Sequence, residues 1–288
     1  MKNERSADIF VTIVVSIRNA AVDLSKTLDN FALQTFVNFE VLIADCNSTD
    51  DPAQYVTARP YPIVHIVQTD YGIYDAWNRV LPQARGRWVI FMGAGDTFKC
   101  PNTLQDAAEF LSRLPDNVLM AYGRVDVLGE NGNLMYDCGA PWSQALNHIR
   151  RFELFPHQAT FQRTDTFTRF GLFDAQYRIA GDRDMILRLA AVFEPVFFPQ
   201  TVANFRYGGT SSVPEKRLMS IFEMSAVMAK HNIKPKSSFP LIKATVLNLL
   251  TYVLPESVLY RMVDAYRIAT GRKRRYQPRK SAEDMQDL

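Results

Sequence analysis

The sequence predicts an α/β fold with a mostly parallel central sheet, and two patterns in the chain carry that prediction. Runs rich in β-branched residues alternate with amphipathic helical spacing from Ile9 to Leu114. Three of these runs stop at an aspartate in a polar or glycine-rich loop: EVLIAD at Asp45, IVHIVQTD at Asp70 and WVIFMGAGD at Asp96. In an open α/β sheet, ligands bind outside the carboxyl ends of the strands, so these carboxylates are expected to converge on one cleft. Carboxylates repel phosphate unless a divalent cation lies between them, and otherwise they pair with donors such as ribose hydroxyls. Both routes point to a nucleotide bound with a metal. Taken singly, each aspartate serves equally well as the cap of the next helix.

The elements follow in order. Ile9 to Ile17 reads as a buried strand, and the helix after it, from about Asp23 to Gln34, buries Leu24, Leu28, Phe31 and Ala32. Glu40 to Asp45 is the second strand. A Pro-limited helix and a third strand near Val64 lead to a helix from Gly72 to Leu81. Its apolar face is Ile73, Ala76, Trp77 and Val80, and its opposite face carries Asp75 and Asn78. Trp88 to Met92 is the next strand, and Asn102 to Leu114 sets Leu104, Ala107, Ala108, Leu111 and Leu114 at helical spacing. Past Val118, shorter strands and turns such as GENGN (129–133) predict mixed pairing. Helices resume at Asp182 and dominate after Glu215. Pro235 and its neighbouring serines mark a boundary, which divides the chain into a body at 1–234 and a helical, basic extension at 235–288.

With 288 residues, 47% of them apolar, a sizeable core is expected, and a net charge of +3 is too small for the whole chain to bind nucleic acid. The basic character is local. GRKRRYQPRK (271–280) gathers six Lys or Arg without an acid after the apolar stretch LIKATVLNLLTYVL (241–254), a pairing that suits a surface of anionic lipid as well as a solvated tail after packed helices. No run reaches the roughly 18 to 20 apolar residues that span a bilayer. MKNERSADIF is polar and leads straight into a strand, so no secretory signal is expected. Cys46, Cys100 and Cys138 lack CxxC spacing and support neither a zinc site nor a disulfide framework. A cytoplasmic protein is expected, with a peripheral position on the inner face of the membrane as its extension.

The first strand-to-helix loop, SIRNAAVD, lacks GxGxxG, and GxxxxGK[ST] does not occur, which argues against a dinucleotide dehydrogenase and a P-loop NTPase. The segment VVSIRNAAVDLSKTLDNFALQTFVNFEVLIADCNSTD and the segment TDYGIYDAWNRVLPQARGRWVIFMGAGD are followed by PHQATF (156–161) and FGLFDAQYRIAGDRDMILRL (170–189). In this order they resemble the GT-A-fold glycosyltransferases of family 2, especially the bacterial polysaccharide-assembly type. The resemblance covers about residues 9 to 212.

The resemblance implies inverting transfer of a sugar from a nucleotide-diphosphate sugar, UDP-sugars favoured, to a hydroxyl of a saccharide or lipid-linked saccharide, in the synthesis of O-antigen, capsule or exopolysaccharide. It also implies Mg²⁺ or Mn²⁺ across the diphosphate. Asp96 matches the end of the metal-binding motif, whose usual two or three acids are reduced to one in Gly93-Ala94-Gly95-Asp96. Ser16, Arg18 and Asp45 match positions around the nucleoside, with Asp45 an acceptor for base or ribose donors and Cys46 where a second acid often stands. Asp70 and Gly72 match the loop after the third strand, and Asp75 and Asn78 share one side of the next helix, where a solvated face is the other reading. Asp182 matches the base that takes the acceptor proton, with Gly181 in place of a preceding acid, and it also reads as a helix N-cap. His157 and Gln158 fall near the sugar and acceptor, and Arg206 in FRYGGTSS is suited to phosphate oxygens. Two rival readings remain at this point: a member that binds without catalysis, and a nucleotidyltransferase, whose glycine- and Lys/Arg-rich N-terminal signature is absent.

Overall fold

The computed structural model describes residues 9–57, 59–129, 131–206 and 214–237, with scattered positions from 242 to 265. The chain divides into two compact units, 1–237 and 238–288. The basic segment 271–280, most of 241–254, and Gly208 and Gly209 of the FRYGGTSS loop lie outside the described residues.

The first half is a βαβ series. β1 (Val11–Ile17) is followed by α1 (Ala21–Ala32), β2 (Phe39–Asp45), β3 (Ile63–Val67), α2 (Ile73–Val80) and β4 (Trp88–Gly93). β1 pairs in parallel with β2 on one side and β4 on the other, and β3 extends the sheet beyond β2. The run VTIVVSI fits this central place, because β-branched side chains pack well on a sheet covered on both faces. Strand order reverses at β1, so the crevice between the carboxyl ends of β1 and β4 is the switch point of the sheet.

The second half is mixed, as its short strands and turns predict. β5 (Thr97–Phe98), α3 (Thr103–Ser112), β6 (Met120–Leu128), β7 (Leu134–Cys138) and α4 (Trp142–Ile149) precede β8 (Thr160–Arg163), α5 (Thr166–Arg169), α6 (Gly181–Ala190), β9 (Val196–Arg206) and α7 (Pro214–Lys230). The sheet runs β3-β2-β1-β4-β8-β6-β9-β5, with β7 on β6. β8 lies antiparallel to both neighbours, while β6 and β9 are parallel. The expectation that helices resume only at Asp182 misses α4 and α5.

Alternation along β1 feeds two apolar layers. Val11, Ile13 and Val15 belong to the layer with Leu24, Leu28 and Phe31 of α1 and Leu104 of α3. Val14 belongs to the other, with Trp77 and Val80 of α2, Met185 and Ile186 of α6, and Val227 of α7. Leu24, Leu28 and Phe31 are fully buried, each contributing roughly 1.5–3 kcal/mol by the area it removes from water. On α2 the expected face is corrected at one position. Ile73 is 39% exposed and Tyr74 is 3% exposed, because the buried stripe runs through Tyr74, Trp77 and Leu81 at i, i+3 and i+7. The Tyr74 ring packs between Trp77 (5.3 Å) and Phe173 (5.7 Å).

Candidate active site

At the switch point, Ser16 stands in register with Ala44 on β2 and Gly93 on β4. Arg18, just past β1, is exposed and has no side-chain partner among the described residues. The loop after it is stitched to the loop after β2. The amides of Asn19 and Thr49 donate to Ser48 Oγ (3.0 Å) and Asn19 Oδ1 (2.9 Å), and the Ala21 amide donates to Asp50 Oδ2 (2.8 Å). Ala20 cannot cap α1 with its side chain, so Asp50 takes one of the free amides of the first turn.

Asp45, 2% exposed, ends β2. Its Oδ1 accepts from the Ser48 amide at 2.9 Å, and its Oδ2 lies 2.9 Å from His65 Nε2 on β3. Two acceptor directions of the carboxylate remain for a ligand. Asp70 Oδ1 accepts from the Gly72 amide at 3.1 Å, and Gly72 enters α2 at φ +137°, a backbone state that favours glycine. Asp75 Oδ2 accepts from the Tyr71 amide (3.1 Å) and Arg79 Nε (3.0 Å), which closes the first turn of α2. Asn78 donates to Phe173 O (2.8 Å) and accepts from the Phe173 amide (3.0 Å). Both of its amide atoms thus clamp the 170–180 loop, so Asn78 is half-buried against that loop and does not lie on a solvated helix face.

Asp96 is 4% exposed and accepts through Oδ2 from the Gly93 amide at 2.8 Å. Thr27 of α1 shapes the same turn, its hydroxyl accepting from the Gly95 amide (2.8 Å) and donating to Asp96 O (3.0 Å). Burial pushes the Asp96 carboxyl up to about 7, against the lowering effect of the Gly93 and Arg206 amides. The Arg206 guanidinium lies 3.3 Å from Asp23 Oδ1. Among the described residues no three His, Cys, Asp or Glu gather as metal ligands. A hard cation takes about six oxygens. The buried carboxylate of Asp96 suits such an ion only if a diphosphate supplies most of the others.

On the other side, His157 is 6% exposed and stacked against Trp77 (5.2 Å) and Phe91 (5.8 Å). Neither ring nitrogen has a partner among the described residues, and Gln158 Oε1 is also buried without one. Burial lowers the His157 pKa, Asp182 opposing and Arg183 adding to the shift. Asp182 is partly exposed at the second position of α6, where its Oδ1 accepts from the Arg183 amide at 2.7 Å and lies 3.1 Å from the Tyr74 hydroxyl. That hydroxyl donates to Ile179 O at 2.6 Å. The N-cap position is Ala180, which corrects the reading of Asp182 as the cap. A Cβ on Gly181 would meet the Tyr74 ring at 2.8 Å, so the aromatic ring fills the space that an acidic side chain there would need.

His65, Tyr74 and Asp23 join the site without having been singled out by the sequence. Tyr74 carries a usable signal in its i, i+3, i+7 spacing with Trp77 and Leu81. His65 and Asp23 carry none, since each depends on a partner brought in by the sheet.

Strand-end carboxylates at a switch point, on a curled mixed sheet, define a GT-A-type glycosyltransferase. Residues 12–175 match Glycosyl transferase family 2, and the chain belongs to that family. It is 31% identical over 225 residues to a PGL/p-HBAD biosynthesis glycosyltransferase of Mycobacterium bovis (strain BCG / Pasteur 1173P2), covering 74% of this chain and 84% of that one. The fold is similar to that of the mannosyltransferase PcManGT from Pyrobaculum calidifontis in complex with GDP-Man and Mn²⁺, with a TM-score of 0.62 and 18% identity over 96% of this chain and 83% of that one. It is also similar to S. aureus TarS 1-349 in complex with UDP, with a TM-score of 0.57 and 18% identity over 89% and 78% of the two chains. Membership of the family displaces the nucleotidyltransferase reading.

Proposed function

We propose that this glycosyltransferase moves a sugar, with inversion, from a nucleotide-diphosphate sugar to an acceptor hydroxyl in the assembly of a surface polysaccharide. The observation that carries the reading is the contact of Asp182 with Tyr74. It brings a partly exposed carboxylate against α2, the helix that leaves the Asp70–Gly72 loop at the carboxyl edge of the sheet. In the reaction Asp182 takes the acceptor proton as the hydroxyl oxygen attacks the anomeric carbon from the face opposite the diphosphate. The bond from that carbon to the diphosphate breaks, and the nucleoside diphosphate leaves. Asp45 accepts from base or ribose, with Ser16 and Arg18 beside it. Asp70 and Gly72 lie along the donor, and Arg206 reaches the diphosphate by exchanging Asp23 for phosphate oxygens. Asp96, together with the diphosphate, would hold Mg²⁺ or Mn²⁺, which would neutralise charge on the leaving group. His157 and Gln158 form the floor under the sugar and acceptor.

Both uracil and guanine offer an N–H to Asp45, and we place UDP-sugars first. The role of the mycobacterial relative in PGL/p-HBAD biosynthesis and the Mn²⁺ in the PcManGT complex support a transferase of this kind with a cation. A donor panel assayed for nucleoside diphosphate release with Mg²⁺, Mn²⁺ or EDTA tests it. Release from one donor that EDTA abolishes is expected. Full release in EDTA removes the cation from the reading, and retention of stereochemistry in the product removes the single displacement.

For localisation, no described helix is long and apolar enough to cross a membrane. We place the enzyme on the inner membrane face through the basic tail. Changing Arg272, Lys273, Arg274 and Arg275 to Ala is expected to weaken co-sedimentation with anionic vesicles at low salt, and undiminished co-sedimentation refutes the contact.

A further inference from the structure

The stretch leading into α6 gives three consecutive backbone amides to a single side chain on α7. The Arg178 amide donates to Glu223 Oε1 at 2.8 Å, and those of Ile179 and Ala180 donate to Oε2 at 2.8 and 2.9 Å. Ala180, at the N-cap position, has no side-chain cap to offer; Glu223 takes its amide together with the two amides of the turn before the helix. The opposite side of the same turn is held by Tyr74, at Ile179 O and Asp182 Oδ1. Glu223 is itself firmly seated. Met224, Val227 and Met228 are buried, and Lys230 Nζ at the end of α7 and His231 Nε2 just past it both lie 2.9 Å from Asp184 Oδ1.

We propose that Glu223 is a positioning residue for the transfer step, acting through Asp182. This rests on the reading of Asp182 as the base. Helix-end amides seek an acceptor, and the nearest carboxylate after Glu223 along the chain is Asp182, which already accepts from the Arg183 amide. Glu223 satisfies the amides of Arg178, Ile179 and Ala180 with charge-assisted bonds and so keeps Asp182 from being drawn back onto that turn. The base is left free on the side that faces the acceptor. Misplacing a reacting group by about 1 Å costs on the order of 100-fold in rate, which sets the scale for losing this hold.

The test compares Glu223→Gln, Tyr74→Phe and Asp182→Asn in the full chain, reading kcat, donor KM and nucleoside diphosphate affinity by calorimetry. Glu223→Gln is expected to lower kcat about 10- to 100-fold with donor KM and nucleotide affinity unchanged. Tyr74→Phe keeps the ring and is expected to show the same pattern with a smaller loss, which carries the test if Glu223→Gln fails to fold. The double variant Asp182→Asn/Glu223→Gln is expected to be no slower than Asp182→Asn, because a residue acting through the base has nothing left to act on. A multiplicative loss in the double variant, a fall in nucleotide affinity parallel to kcat, or wild-type kcat in both Glu223→Gln and Tyr74→Phe overturns the proposal. Wild-type transfer by Asp182→Asn overturns the base assignment and the positioning role with it. Loss in Asp182→Asn beside full activity in the other two overturns the positioning role alone.

Discussion

The two sides of the crevice hold their carboxylates in different ways. On the donor side, each acid is fixed by an amide two or three residues away: Asp45 by Ser48, Asp70 by Gly72 and Asp96 by Gly93. On the α6 side, Asp182 accepts the amide of the next residue but also meets a hydroxyl 108 residues distant, and the turn before it is held by Glu223, more than 40 residues downstream. Local bonds form with the loop itself. Long-range ones exist only when α2, α6 and α7 are packed together, so damage to that packing is expected to reach transfer before it reaches nucleotide binding.

Three substitutions sharpen or break this contrast. The largest effect is expected from Asp182→Asn, which removes the proposed proton acceptor and should slow transfer by about 10²- to 10⁴-fold while nucleotide affinity stays within about twofold. A parallel loss of affinity would mean that the two sides are not separable. Gly181→Glu comes next, since its side chain must displace the Tyr74 ring. About 1–3 kcal/mol of stability should be lost on overpacking. Combined with Tyr74→Ala, the total loss in denaturant unfolding should be less than the sum of the two alone, and strict additivity would refute the close contact. The smallest effect is expected from Asp45→Asn, with donor KM rising about tenfold, as for loss of one bond to a charged group, and kcat nearly constant. A fall in kcat without a change in KM would move Asp45 out of the nucleoside pocket.

The same contrast explains how far the sequence could be read. The parallel half was legible because β1, β2 and β4 are continuous apolar runs separated by helices whose faces repeat at helical spacing. Asp45, Asp70 and Asp96 were legible because strand ends can be located from those runs. Gly181 was visible as a departure but not as a cause, since the Tyr74 ring that excludes a side chain there comes from another helix. Ile73 was assigned to the buried face and Tyr74 was not, because hydropathy ranks isoleucine above tyrosine while the packing against Phe173 and Trp77 favours a flat ring. Asn78 looked like part of a polar face, and only the fold shows its two amide atoms bound to Phe173. α4 lies between β7 and the PHQATF segment in a stretch with little helical patterning, and its two buried positions, Ala145 and Ile149, are too few to announce it.

The stitching of the loops after β1 and β2 has a calorimetric consequence. Asn19 binds both Ser48 and Thr49, and Asp50 holds the Ala21 amide at the start of α1. Fixing the backbone of a free residue costs about 1–2 kcal/mol at room temperature. A nucleotide bound beside Asp45, as proposed, would meet loops held by these bonds, so the entropy of binding there should reflect released water and the ligand's own lost motion, with little contribution from ordering of the chain.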